Sequence, residues 1–197
     1  MKDVNDKKIM SPLLIGIGAV LAVILLIVVW YFSTYNSLVR LNEDVNGKWA
    51  QVEAEYQRRV DLIPNLVSTV KGAANFEQST LTEITKLRSQ WQTAPNVNAR
   101  IETASQIESV LSKLLVVAEN YPQLTATKNF IGLQDELTNT ENKVAVQRQR
   151  YNDAVKAFNA KIKTFPASIV ANRVGYTNRT YFNAAPGSEN APKVTFE

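Results

Sequence analysis

The sequence predicts an all-α protein: an N-terminal transmembrane helix followed by an elongated antiparallel four-helix bundle. Three observations carry this. A charge-free run of twenty residues, Leu13–Phe32 (LLIGIGAVLAVILLIVVWYF), lies near the N-terminus. From Tyr35 onward, apolar residues recur in alternating steps of three and four, the spacing of one helix face. Short stretches rich in Gly, Pro and Asn then divide this pattern into segments. The resulting division is a polar N-tail (1–12), a signal anchor (13–32), a helical-bundle domain (33–166) and a short helix with a flexible tail (167–197).

Twenty helical residues at about 1.5 Å each span the roughly 30 Å hydrocarbon core of a bilayer. Trp30, Tyr31 and Tyr35 gather at the far end, as an interfacial belt does. The run exceeds an ordinary signal-peptide core and no A-x-A site follows, so it reads as a retained anchor rather than a cleaved signal. Lys2, Lys7 and Lys8 precede it, against Arg40 and Lys48 just after. By the positive-inside rule this margin of one residue favours a cytoplasmic N-tail and an extracytoplasmic bundle.

The first bundle helix carries Leu38, Val45, Trp49, Val52, Tyr56, Ile63, Leu66 and Val70 on one seam and should run out of the membrane to about Lys71. Gly72, Ala73, Ala74 and Asn75 offer a turn, and TLTE (Thr80–Glu83) has the spacing of a capping box. The seam phase also survives through Glu77, Thr80, Ile84, Leu87 and Trp91, so one continuous helix to Trp91 is the alternative. QTAPNVN (Gln92–Asn98) is a loop. A third helix, Ala99–Glu119, has Ile101, Ala104, Ile107, Leu111 and Leu114 on one face. Pro122 interrupts it and suits the first turn of the next helix. The last long helix recurs through Phe130, Leu133, Leu137, Glu141, Val144, Arg148, Tyr151, Val155, Phe158, Ile162 and Phe165 until Phe165–Pro166 stops it. A short apolar piece (Ala167–Val174) precedes NAAPGSENAPKVTFE, whose composition is that of a mobile tail.

Polar residues interrupt the seam at Arg59, Glu77, Glu141 and Arg148. An antiparallel first and last helix would set Arg59 opposite Glu141, with Asp61 or Glu77 bridging to Arg148. Such a network fixes register between long helices; the competing reading is a ligand or proton-handling site. Pro64 removes the bond to the Val60 carbonyl and should bend the helix, leaving that carbonyl to an arginine or Asn65. Tyr121 either recognises a partner or packs its ring with its hydroxyl in solvent.

The chain has no Cys and no His, which excludes thiolate chemistry, disulfides, His-based triads and most zinc sites. Its seven glycines form no phosphate-cradling loop. No cofactor or metal is expected. A net charge of +4 without a basic cluster excludes a nucleic-acid partner.

YNSLV (Tyr35–Val39), VNGKWAQVE (Val45–Glu53), QRRVDLIPNLVSTVKG (Gln57–Gly72), NFE (Asn75–Glu77), ENYPQL (Glu119–Leu124) and LQDELTNTENKVAVQRQRYNDAVKAFN (Leu133–Asn159) resemble the LemA family in order and spacing. The RR-x-DLIPN motif of that family matches Arg58, Arg59, Asp61, Leu62, Ile63, Pro64 and Asn65. Its later motifs match Glu119, Tyr121, Pro122, Leu124, Thr140, Glu141, Arg148, Tyr151 and Asn152. Where members commonly carry Tyr and His after KG, this chain has Ala73 and Asn75, so no imidazole can act there. The resemblance implies a bacterial single-pass membrane protein with a helical-bundle domain and no established enzymatic activity.

An anchored bundle with so little reactive chemistry points to a non-enzymatic scaffold of the cell envelope, in the inner membrane. Its partners would be the bilayer, further copies of itself and other envelope proteins. The alternative is a sensor of an anionic small molecule, gripped by Arg58 and Arg148 and oriented by Glu141. A third reading has Arg148, Arg150, Lys156, Lys161 and Lys163 meeting anionic lipids.

Overall fold

The computed structural model describes residues 3–71 and 78–182, with side chains from Leu14 onward. Six helices occur among them: α1 (Asp3–Lys71), α2 (Gln78–Thr93), α3 (Val97–Ala118), α4 (Pro122–Thr125), α5 (Lys128–Lys163) and α6 (Ala167–Val174). No strand occurs among the described residues.

α1 is 69 residues long and changes character along its length. Every residue from Leu14 to Val29 is exposed, whereas all eight seam positions from Leu38 to Val70 are buried. One helix therefore meets two environments, an exposed one along Leu14–Val29 and one packed against other helices.

The chain forms two compact units. The larger comprises Asn46–Val155 with Thr180–Glu197. Here the Trp91 indole donates to Gln57 Oε1 at 3.2 Å, and its ring centroid lies 5.2 Å from that of Tyr56. In one straight helix residues 57 and 91 would stand about 51 Å apart, so α2 runs back along α1 and the continuous-helix alternative is excluded. The anticipated turn at Gly72–Asn75, Glu77 and the tail from Asn183 lie outside the described residues. α3 packs on α2 and touches α1 through an Arg100–Glu53 ion pair. α5 opposes α1, with Trp49 against Tyr151 and Arg59 against Glu141. The four helices thus alternate in direction, as short connections require.

Local signals explain most helix limits. Asn96 accepts from the Ala99 amide at 3.0 Å and caps α3, two residues before the predicted start. Pro122 occupies the first turn of α4. Thr80 is not a cap: α2 begins at Gln78, and Thr80 is buried inside its first turn. Pro64 is exposed within an α1 that stays helical through it. Phe165 does not extend the α5 seam; it follows the helix and is 77% exposed.

The smaller unit comprises Met1–Val45 and Lys156–Arg179. Its core holds Leu38, Phe158, Ile162, Ala167, Val170 and Ala171. Gly175, at φ 83°, ends α6 in the left-handed conformation that glycine tolerates without strain. The chain then returns over α5: Tyr176 meets Phe158 edge-on, and Asn159 exchanges two hydrogen bonds with the Arg179 backbone, at 2.8 and 2.9 Å. Arg179 Nη2 also donates to Asn42 Oδ1 at 2.7 Å.

Candidate functional site

The densest polar chemistry lies inside the larger unit, around Glu108 of α3. Its carboxylate accepts from the Tyr56 hydroxyl, and Arg148 Nη1 donates to both of its oxygens, at 3.1 and 3.0 Å. Arg59 Nη1 stands 4.0 Å from the same carboxylate, and Arg59 Nη2 stands 3.6 Å from Glu141 Oε2. Both contacts are Coulombic rather than hydrogen-bonded at those lengths. Arg59 is 3% exposed, and its Nε and Nη1 have no hydrogen-bond partner among the described residues.

Helix geometry sorts the other predicted members. Arg58, one residue and about 100° round from Arg59, is exposed and pairs with Glu55 at 3.6 Å. Asp61 and Asn65 follow Arg58 on that outer stripe, three and seven residues on, and both are exposed. Asp61 accepts from Gln57 at 2.8 Å and does not bridge to Arg148. Asn65 lines an open groove of about 500 Å³ with Ser68, Thr69, Lys128 and Asn129. Glu141 was expected in the core, yet its side chain is 68% exposed. The buried stripe of α5 runs through Leu137, Thr140 and Val144, leaving Glu141 on the rim to reach Arg59 from outside. Tyr121 is half-buried ahead of α4, its carbonyl accepting from the Leu124 amide.

Aromatic rings close the cluster on one side. Phe182 is 4% exposed and stacks near Trp49 and Tyr56, with centroids 5.9 and 6.0 Å away. Tyr151 meets it edge-on, and the Arg148 guanidinium lies 5.0 Å above its ring. Asn152 holds the Phe182 backbone through both its amide and its carbonyl, at 2.9 Å each, while the Tyr151 hydroxyl donates to the Thr180 carbonyl.

Burial, then the charge and hydrogen bond of Glu108, push the Tyr56 hydroxyl far above the ordinary tyrosine range. Tyr56 therefore stays a donor. Glu108 accepts from the phenol and from Arg148, with the Arg59 guanidinium close by. Among the described residues no three His, Cys, Asp or Glu side chains gather as metal ligands.

The model of the LemA family matches residues 48–196, three quarters of the sequence. The chain belongs to the LemA family. It is 28% identical to Protein LemA of Metamycoplasma hominis over 187 residues, covering 91% of this chain and 85% of that protein. It is also 24% identical to Magnetosome protein MamQ 2 of Paramagnetospirillum magneticum over 218 residues, covering 94% and 80%. Magnetosome protein MamQ of Magnetospirillum gryphiswaldense is 23% identical over the same shares. The LemA match includes Tyr56, Arg59, Glu108, Arg148 and Phe182, so the whole cluster falls inside the family's domain.

Glu108 and Phe182 carry the site together with residues the sequence singled out, Asn152 among them through the family motif. Glu108 had a signal: it lies four residues after buried Ala104 and three before buried Leu111, on the same helix face.

Proposed function

We propose that this LemA-family chain is a single-pass inner-membrane scaffold without catalytic activity, whose bundle lies on the extracytoplasmic side and binds further copies of itself or other envelope proteins. The observation that carries it is α1: one helix bears a wholly exposed run from Leu14 to Val29 and then supplies the core of a four-helix unit. Sixteen exposed apolar or small residues in sequence have a stable place only in lipid. The Glu108 cluster supports a structural rather than reactive role, because its carboxylate already accepts from Tyr56 and Arg148. Crosslinking of the full chain in membranes, followed by mass spectrometry, should recover reproducible self- or hetero-adducts. Recovery of monomer alone would count against the scaffold. For sidedness, Ser109→Cys, the sole thiol of such a variant, should react with an impermeant maleimide from outside the inner membrane.

A second reading, recognition of an anionic small molecule, is favoured by Arg59, whose buried Nε and Nη1 lack hydrogen-bond partners among the described residues. Phosphate or a dicarboxylate should then raise the melting temperature of the full chain in nanodiscs, and Arg59→Met should abolish that rise. Absence of any shift across anions leaves the scaffold reading alone.

A further inference from the structure

Within the smaller unit, one face of the α5–α6 corner is uncovered among the described residues. Phe165, in the turn between α5 and α6, is 77% exposed, and Ile169, on the outer side of α6, is 57% exposed, while the inner side of α6 buries Ala167, Val170 and Ala171. Arg173, four residues further, continues the outer stripe and is exposed. Two bulky apolar groups held outward beside a cation would be unfavourable in water and are the arrangement of an interfacial helix.

We propose that this corner is a second membrane contact, in which Phe165 and Ile169 enter the headgroup–acyl boundary while Lys161, Lys163 and Arg173 meet anionic headgroups. The proposal rests on α1 spanning the bilayer. The occupant follows from position and charge. On α1, burial begins at Thr34, two residues beyond Phe32, with Trp30 and Tyr31 already half-covered. In this unit the end of α5, α6 and the return segment are the elements besides α1, so their packing reaches the edge of the apolar run. The corner therefore lies where a bilayer holding that run would have its surface. Residues 156–179 carry five cations, Lys156, Lys161, Lys163, Arg173 and Arg179, and no acidic residue. Anionic lipid complements that segment.

The test uses the full chain in liposomes of anionic phosphatidylglycerol with phosphatidylcholine. The chain has no native cysteine, so single variants Phe165→Cys, Ile169→Cys, Phe32→Cys and Ser109→Cys can each be spin-labelled. Collision rates with oxygen and with a water-soluble nickel complex then report lipid or water. Labels at 165 and 169 should be oxygen-accessible and shielded from nickel, as at 32, while 109 shows the opposite. Neutral liposomes should shift labels 165 and 169 toward nickel accessibility. Nickel accessibility at 165 and 169 equal to that at 109 in anionic liposomes would overturn the proposal. So would shielding from both reagents, which would mean protein covers the face. A label at 32 found in water would instead overturn the transmembrane reading itself. A second set, Phe165→Ser and Ile169→Ser with the reporter at Asn172→Cys, guards against the label creating its own membrane affinity. The reporter should move toward water when both apolar groups are removed; an unmoved reporter again overturns the proposal.

Discussion

Removing Glu108 exposes how the larger unit handles its charge. In Glu108→Ala, the Tyr56 hydroxyl loses its acceptor, Arg148 loses two hydrogen bonds of 3.0 and 3.1 Å, and among the described residues buried Arg59 keeps only rim-exposed Glu141. Breaking a buried pair by deleting one partner costs roughly 3–5 kcal/mol. Because the Glu108 side chain retains 21% exposure, the lower end, about 3 kcal/mol, is appropriate. For a chain of this size each kcal/mol moves the melting temperature by about 2–4 °C, giving a fall of about 6–12 °C. Glu141→Ala removes a contact of 3.6 Å from a side chain that is 68% exposed, and such pairs contribute at most about 1 kcal/mol. Thermal unfolding of both variants in nanodiscs, read by tryptophan fluorescence from core residues Trp49 and Trp91, separates the two. If Glu141→Ala proves as damaging as Glu108→Ala, the assignment of Glu108 as the organising acceptor is wrong.

The raised Tyr56 pKa makes alkaline stability a second readout. Above the unfolded tyrosine value of 10.0, the unfolded chain releases a proton that the folded chain keeps. Wild type should therefore lose about 1.4 kcal/mol per pH unit relative to Tyr56→Phe, measured as converging denaturant midpoints. Phe182→Ala removes the ring shared by Trp49, Tyr56, Tyr151 and Arg148 and should cost about 3–5 kcal/mol, with a red-shifted tryptophan emission as Trp49 meets water. Asn152→Asp sets a carboxylate against the Phe182 carbonyl that the amide now serves. It should destabilise more than Asn152→Ala in the same melting assay.

The seams of α1 and α3 were legible residue by residue, because each apolar side chain there projects toward another helix and the 3.6-residue period is the whole signal. Legibility failed where one residue of phase decides. Glu141 and Thr140 are both consistent with a loose three-four count, and the structure buries Thr140. Glu108 lay on a readable face, but a carboxylate between Ile107 and Leu111 looks like a solvated neighbour until two arginines are shown to converge on it. The segment 176–182 carried no periodic signal. It is held by Asn42, Asn152 and Asn159 side-chain amides acting on a backbone without regular secondary structure and on Arg179. Pairing of that kind leaves no repeating pattern in the sequence.

The dependence of the larger unit on Phe182 has a consequence for biosynthesis. Its hydrophobic interior takes one ring from Phe182, which is synthesised after every helix of the unit, whereas Leu14–Val29 leaves the ribosome before the bundle helices do. Insertion can thus precede closure, and during that interval Trp49, Tyr56 and Tyr151 lack their covering ring. A translation stop shortly before residue 182 would leave a tethered, incompletely sealed bundle with sticky aromatic surface. Quality-control proteases would have a clear distinction to act on: the presence or absence of a single late phenylalanine.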